Sequence, residues 1–229
     1  MFTELSYPKE IDAPEGLLNK YAEMPLRMEI VPEPAWYFNL RKMFTATMWG
    51  LVRNRVYGEF WYTCPFCHKE FWDLEKQEWQ IKSPVGGGLH AHEIWTYDDD
   101  KHIQTCEGIV ALCPACHGIK HMVLTQKRAQ EKELKMADVI SHFCTVNNCM
   151  PSDFDEILKF EMNVFYFRNN FEWTCEIGDY MEYVGPKAAP FIALEMLTGN
   201  IDLVSDKVLT AVEKCLIEID NGTFKMPEK

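Results

Sequence analysis

No apolar run in this sequence reaches the ~18 residues of a membrane span, so no membrane association is expected. The first residues, Met1-Phe2-Thr3-Glu4-Leu5, lack the basic region and apolar stretch of a secretory leader, which points to a cytoplasmic protein. Internal repeats and low-complexity tracts are absent, which excludes repeat architectures. Positive charge is scarce: 23 Lys and Arg face 35 Asp and Glu, for a net charge of −12. That balance excludes a surface made throughout for phosphate, because phosphate contacts draw on Lys and Arg. It leaves room for a local basic patch, and an acidic chain can also face a basic protein partner.

What is present is enough for a real core. The 229 residues suit one large or two small domains, and 47% of them are hydrophobic. Cysteine is plentiful, at nine. Four of these stand in two pairs, Cys64-Pro65-Phe66-Cys67 and Cys113-Pro114-Ala115-Cys116. A CxxC loop turns two thiolates onto one metal, and two such loops make the tetrahedral sulfur set that zinc prefers. In a reducing compartment paired cysteines favour metal over disulfide. Four thiolates leave no open position for water, so this zinc is expected to be structural. Cys106, Cys144, Cys149, Cys175 and Cys215 are scattered and read as buried free thiols.

Histidines cluster around the same pairs. Leu89 to Trp95 reads as a strand carrying His90, His92 and Glu93. Residues 102–105 and 109–112 continue it into a hairpin with an acidic turn at Asp98, Asp99 and Asp100. The second CxxC opens a helix with His117 and His121 at i and i+4, on one face. Such a pair alone is weak; placed behind a CxxC and a His-bearing hairpin it points to a second divalent-cation site. His68 and His102 read as surface residues, and His142 has no assigned place.

The flanks read more coarsely. Residues 1–34 are Pro- and Glu-rich and are expected to form an irregular arm. Apolar residues at helical spacing predict one helix from Ala35 to about Gly58. Arg41, Lys42, Arg53 and Arg55 lie along it among Trp36, Tyr37, Trp49, Tyr57, Trp61 and Tyr62. The mixture suits either phosphate and base stacking or a helix with a solvated basic face. Lys120 reads as a phosphate contact or a solvated residue. Helices are expected over Thr125–Met136, from near Ser152 with Phe154, Ile157, Leu158, Met162, Phe165 and Tyr166 on its apolar side, and over Ala189–Thr198 and Leu203–Ile219.

The stretch Ala111-Leu112-Cys113-Pro114-Ala115-Cys116-His117-Gly118-Ile119-Lys120-His121 resembles the HNH, or His-Me finger, nuclease family in its zinc-stapled form. The resemblance covers roughly residues 60–122. A looser likeness to a bacterial HNH-like group rests on Trp36-Tyr37-Phe38-Asn39-Leu40-Arg41, His92-Glu93-Ile94-Trp95, Tyr97-Asp98-Asp99, Val146-Asn147-Asn148 and Glu172-Trp173. It extends to about residue 180 and brings no known substrate.

The family resemblance implies an α+β fold: a small ββα-metal, HNH-like core with a four-Cys zinc staple, flanked by helices. Residues 1–34 would be the arm, 35–145 the zinc-stapled domain and 146–229 a helical C-terminal region. It implies that His92, His117 and His121 hold Mg2+ or another divalent cation. Glu93 occupies the position of the usual general-base histidine, and Gly108 that of the central Asn. Glu93 then serves as base or as an extra ligand. His90 is the alternative base if the hairpin register shifts by one, and otherwise an exposed strand histidine.

Two functions follow from the resemblance. One is a metal-dependent endonuclease acting on nucleic acid, DNA foremost. The other is an HNH-fold zinc-binding interaction protein that kept the staple and lost the chemistry. A DNA-reading zinc finger fits less well, because Gly118, Ile119, Met122 and Val123 after the second knuckle offer no Arg or Asn to base edges.

Overall fold

The computed structural model describes residues 6–36, 38–73, 78–79, 88–178, 180 and 206–223. The helix expected at 189–198 and the start of the one expected at 203–219 lie outside the described residues, as does Tyr37. The protein is a mixed α+β structure with a small three-stranded sheet surrounded by helices. Among the described residues no helix is long and apolar enough to cross a membrane.

The arm holds α1 (Leu17–Ala22), so it is less irregular than its prolines suggest. It packs on the body through a few strong ties. Tyr21 is fully buried, and its hydroxyl accepts from the Met28 N–H. Asn147 grips the Leu26 backbone with both ends of its amide, at 2.9 and 2.8 Å. Tyr7 donates to the buried Glu161 at 2.8 Å.

The helix expected over 35–58 is two helices, α2 (Leu40–Met43) and α3 (Ala46–Glu59). Phe44 between them is extended and buries its ring, while the Thr45 hydroxyl caps α3 by accepting from Met48 N–H. Apolar periodicity cannot register two extended residues, Phe44 and Thr45, that leave the hydrophobic spacing intact. The first CxxC follows as a tight hairpin: Cys64 N–H donates to Lys69 O, and His68 N–H to Cys64 O. Short strands β1 (Trp72–Asp73) and β2 (Glu78–Trp79) pair antiparallel.

The central hairpin forms as expected. β3 (His90–Asp98) and β4 (Ile103–Leu112) pair antiparallel, with His92 opposite Val110. The register slips between Ile94 and Trp95, where Glu107 is the extra residue on β4. Burial on β3 changes phase at the same point, from His92 before it to Trp95 and Tyr97 after it. A third strand, β5 (Thr174–Glu176), runs parallel to β4. At three residues it was too short to be read from sequence pattern.

The second CxxC opens α4 (Pro114–Lys120). Cys113 is its N-cap, with Sγ accepting from Cys116 N–H, and Pro114 takes the first helical position. Then come α5 (Met122–Gln130), α6 (Met136–Asn147) and α7 (Pro151–Arg168). Asn148 ends α6 in the left-handed conformation that Asn tolerates. On α7 the buried face carries Phe160 and Val164, while Tyr166 is exposed, which corrects its expected place on the apolar side. Arg168, near the end of α7, forms a buried two-point ion pair with Asp99 at 2.7 Å and lies over the Tyr97 ring. The acid of the hairpin turn is therefore a structural partner. The last described helix is α8 (Asp206–Asp220).

Candidate functional site

The four paired cysteines meet in space. One sulfur from each of Cys64, Cys67, Cys113 and Cys116 lies within 4.8 Å of the others, a cluster that could hold a metal such as zinc. Three are fully buried and Cys67 is half-buried. Hydrogen bonds from Cys113 and Cys116 pull the Cys64 thiol far down, and those with Cys113 and Cys64 push Cys116 far up. The sulfurs resist joint ionisation, which is the condition a cation removes. His142, unplaced from sequence, lies with Nε2 3.2 Å from Cys116 Sγ, where an N–H steadies a thiolate.

Beside the thiols stands a second cluster. Ligand nitrogens of His92, His117 and His121 lie within 4.8 Å of one another. His92 comes from β3 and His117 from α4. His121 is not on the α4 face that the i, i+4 spacing implied; it sits at the junction of α4 and α5, outside helical geometry. The rings still converge, with His117 and His121 centroids 4.5 Å apart. His90 stacks on His117 at 4.5 Å, which makes it part of this group rather than an exposed strand residue.

Burial, then the neighbouring imidazoles, holds His117 down to about 2 and His121 to about 4. His90 is lowered by burial and by His92. These rings therefore stay neutral at physiological pH and keep lone pairs for a cation. The donor set fits a first-row transition ion: imidazole suits Zn, Fe, Ni and Cu, whereas Mg prefers carboxylate and water.

The arm supplies a residue that sequence reasoning missed. Glu29 Oε2 accepts from His92 Nε2 at 2.6 Å, and Glu29 Oε1 accepts from Lys120 Nζ at 3.1 Å. The bond at Nε2 leaves His92 Nδ1 with its lone pair directed at His121, 3.2 Å away. This is the carboxylate–histidine arrangement that fixes the tautomer of a metal ligand. Burial alone would raise Glu29, but the Lys120 charge and His92 overcome it and hold the carboxyl at about 2. Lys120 is buried against Glu29 and lies over the Phe66 ring, so it meets neither solvent nor phosphate.

Glu93 adjoins this cluster in sequence but turns to another task. Its Oε1 accepts from Leu40 N–H at 2.7 Å, at the start of α2. Burial raises its pKa, while His92 and the Leu40 and Arg41 backbone amides oppose the rise. Arg41, Lys42, Arg53 and Arg55 are exposed on α2 and α3, and Arg55 pairs with Glu59. Tyr57 donates to Leu89 O and serves the fold, whereas Trp36 and Trp61 are exposed. His102 stacks on Phe171 instead of facing water. Cys144 and Cys149 are half-buried; Cys106, Cys175 and Cys215 are buried as expected.

The buried neutral histidines set a pH response. The unfolded chain takes up protons at His117 and His121 near pH 6.5, but the folded protein does so only near 2 and 4. Stability is therefore present above about pH 6.5 and falls as pH drops, by up to ~1.4 kcal/mol per pH unit for each group. A bound metal acts in the same direction, since protons compete for its ligands. The urea midpoint is expected to drop between pH 7 and pH 5. A midpoint that does not move over that interval would contradict the buried neutral state.

No family model, curated protein or solved structure matches this chain.

Proposed function

We propose that this protein is a metal-dependent phosphodiesterase of the HNH type that acts on nucleic acid, with a structural zinc on Cys64, Cys67, Cys113 and Cys116. The single observation that carries the reading is the convergence of His92, His117 and His121 within 4.8 Å beside a four-thiol cluster. One imidazole comes from a hairpin strand; the other two come from the helix opened by a CxxC and from that helix's end. In this reading the three histidines hold a divalent ion, which supplies Lewis acidity toward a phosphoryl oxygen and a lowered pKa for water.

The chain's own residues do the rest. Glu29 and Lys120 keep His92 in one tautomer and orientation. His90, stacked on His117, is the imidazole nearest the triad and takes the proton of the attacking water. Glu93 is held as a support of α2 through Leu40 N–H, so the base role passes from it to His90.

That tie of Glu93, with the net charge of −12, favours a second reading, an interaction protein without chemistry. A cleavage assay separates the two. Purified protein is given Mg, Mn, Ni or Zn with plasmid, single-stranded DNA or RNA, beside a His92→Ala, His117→Ala double variant. Cleavage is expected, stronger with the transition ions than with Mg. The double variant should lose about a thousandfold or more, the several kcal/mol a Lewis-acid ion contributes. Absence of cleavage on every substrate, with the second metal bound, would leave the interaction protein.

A further inference from the structure

A cavity of about 440 Å3 opens beside the histidine cluster, within the size range of small-ligand sites. His92, His121 and two carboxylates, Glu29 and Glu93, form part of its wall; Glu29 is tied to His92 and Lys120, and Glu93 to Leu40 N–H. Most of the remainder is apolar or aromatic: Trp36, Phe38, Trp95, Met122 and Leu124. Trp36 is 41% exposed and Leu124 55%, two of the few large apolar side chains left open to solvent. The Trp36 indole N–H donates to Val31 O at 2.8 Å, which pins the ring without using its face.

Cations stand at the same place despite the acidic total. Lys127 lines the cavity. Asn39 also lines it and caps α2, whose next residues include Arg41 and Lys42, both exposed. An aromatic-walled recess with cations beside it and two imidazoles of the histidine cluster in its wall matches one kind of occupant. That occupant is a flat, uncharged ring joined to a phosphodiester. Every nucleobase offers such a π face. A base inside a duplex is covered on both faces by its neighbours and must leave the stack to enter a recess.

We infer that this cavity receives an unpaired nucleobase of a single-stranded nucleic acid, stacked on Trp36, with the adjoining phosphate at the histidine cluster. The inference rests on the phosphodiesterase reading for the phosphate and adds the state of the substrate. Trp36 becomes the residue that selects single strands, and Lys127 the contact to the backbone.

Binding tests it independently of cleavage. Fluorescence anisotropy with no added divalent cation compares three probes of one length. They are single-stranded oligothymidylate, the same strand paired to oligoadenylate, and a backbone carrying abasic residues. The single strand is expected to bind on the order of tenfold or more tighter than the other two, the effect of one stacked base. Trp36→Ala should close the gap, and Trp36→Phe should keep most of it. Zinc content and the thermal melt report whether the variants fold; if Trp36→Ala does not, the three probes on the native protein and on Trp36→Phe decide. Equal affinity for the three probes, a gap that survives Trp36→Ala, or no binding at all would overturn the inference. Base-dependent binding without cleavage would retain the pocket and remove the hydrolase. Cleavage without base dependence would do the reverse.

Discussion

Replacing Cys64 and Cys113 together by serine is expected to unfold the protein. Together the two substitutions remove one thiol from each pair of a cluster whose sulfurs lie within 4.8 Å. Structural zinc sites in small domains contribute about 10–16 kcal/mol of apparent binding free energy at neutral pH. A domain's whole stability is about 5–15 kcal/mol. Loss of a zinc held by this cluster would therefore exceed what the rest of the core can absorb. The substitution also places hydroxyls at two fully buried positions. α4 carries His117, and His121 follows at its end, so the second cluster should be lost with the first. A strong chelator applied to the native protein should act in the same direction. Metal content by mass spectrometry and a circular-dichroism melt check this. A cooperative melt and unchanged zinc in the double variant would show that the cluster is four thiols without a metal.

Glu29→Ala is expected to weaken the histidine site without touching any of its three imidazoles. His92 loses the acceptor that fixes its tautomer. Removing such a partner typically costs 10–100-fold in metal affinity. Lys120 keeps its buried position and loses the carboxylate on which its ammonium rests. Breaking a buried ion pair from one side costs about 3–5 kcal/mol, because an uncompensated charge remains. Glu29→Gln should be milder in stability, since its carbonyl can still accept from Lys120. Titration of the second metal equivalent against a chelating dye measures the affinity, and urea unfolding measures the stability. If Glu29→Ala changes neither, the contact is incidental and the arm has no part in the site.

The parts of the candidate site that were legible in sequence are those whose donors lie close along the chain. CxxC is a local loop, and Cys113-Pro114 is a local helix start. His90 and His92 share a strand face because side chains alternate with a period of two. The hairpin register then brings that strand back to the knuckle, with His90 opposite Leu112. His121 illustrates the limit of such reading. The helical spacing anticipated its nearness to His117, but the helix ends before it and its ring arrives from a junction.

Composition and local pattern by themselves determined the two thiol pairs, the hairpin, the helix behind it and the presence of histidines in both. Tertiary structure decided which charges serve the site. Glu29 stands 63 residues from His92 in the sequence, within an arm whose other acids give it no distinguishing mark. Lys120 was free to be a phosphate contact until packing buried it against that carboxylate. Glu93, beside His92, was claimed instead by the start of α2. The physical reason is common to the three: a charged side chain takes its role from whichever partner shares its desolvated space. Long-range packing sets that space, and spacing along the chain carries no record of it.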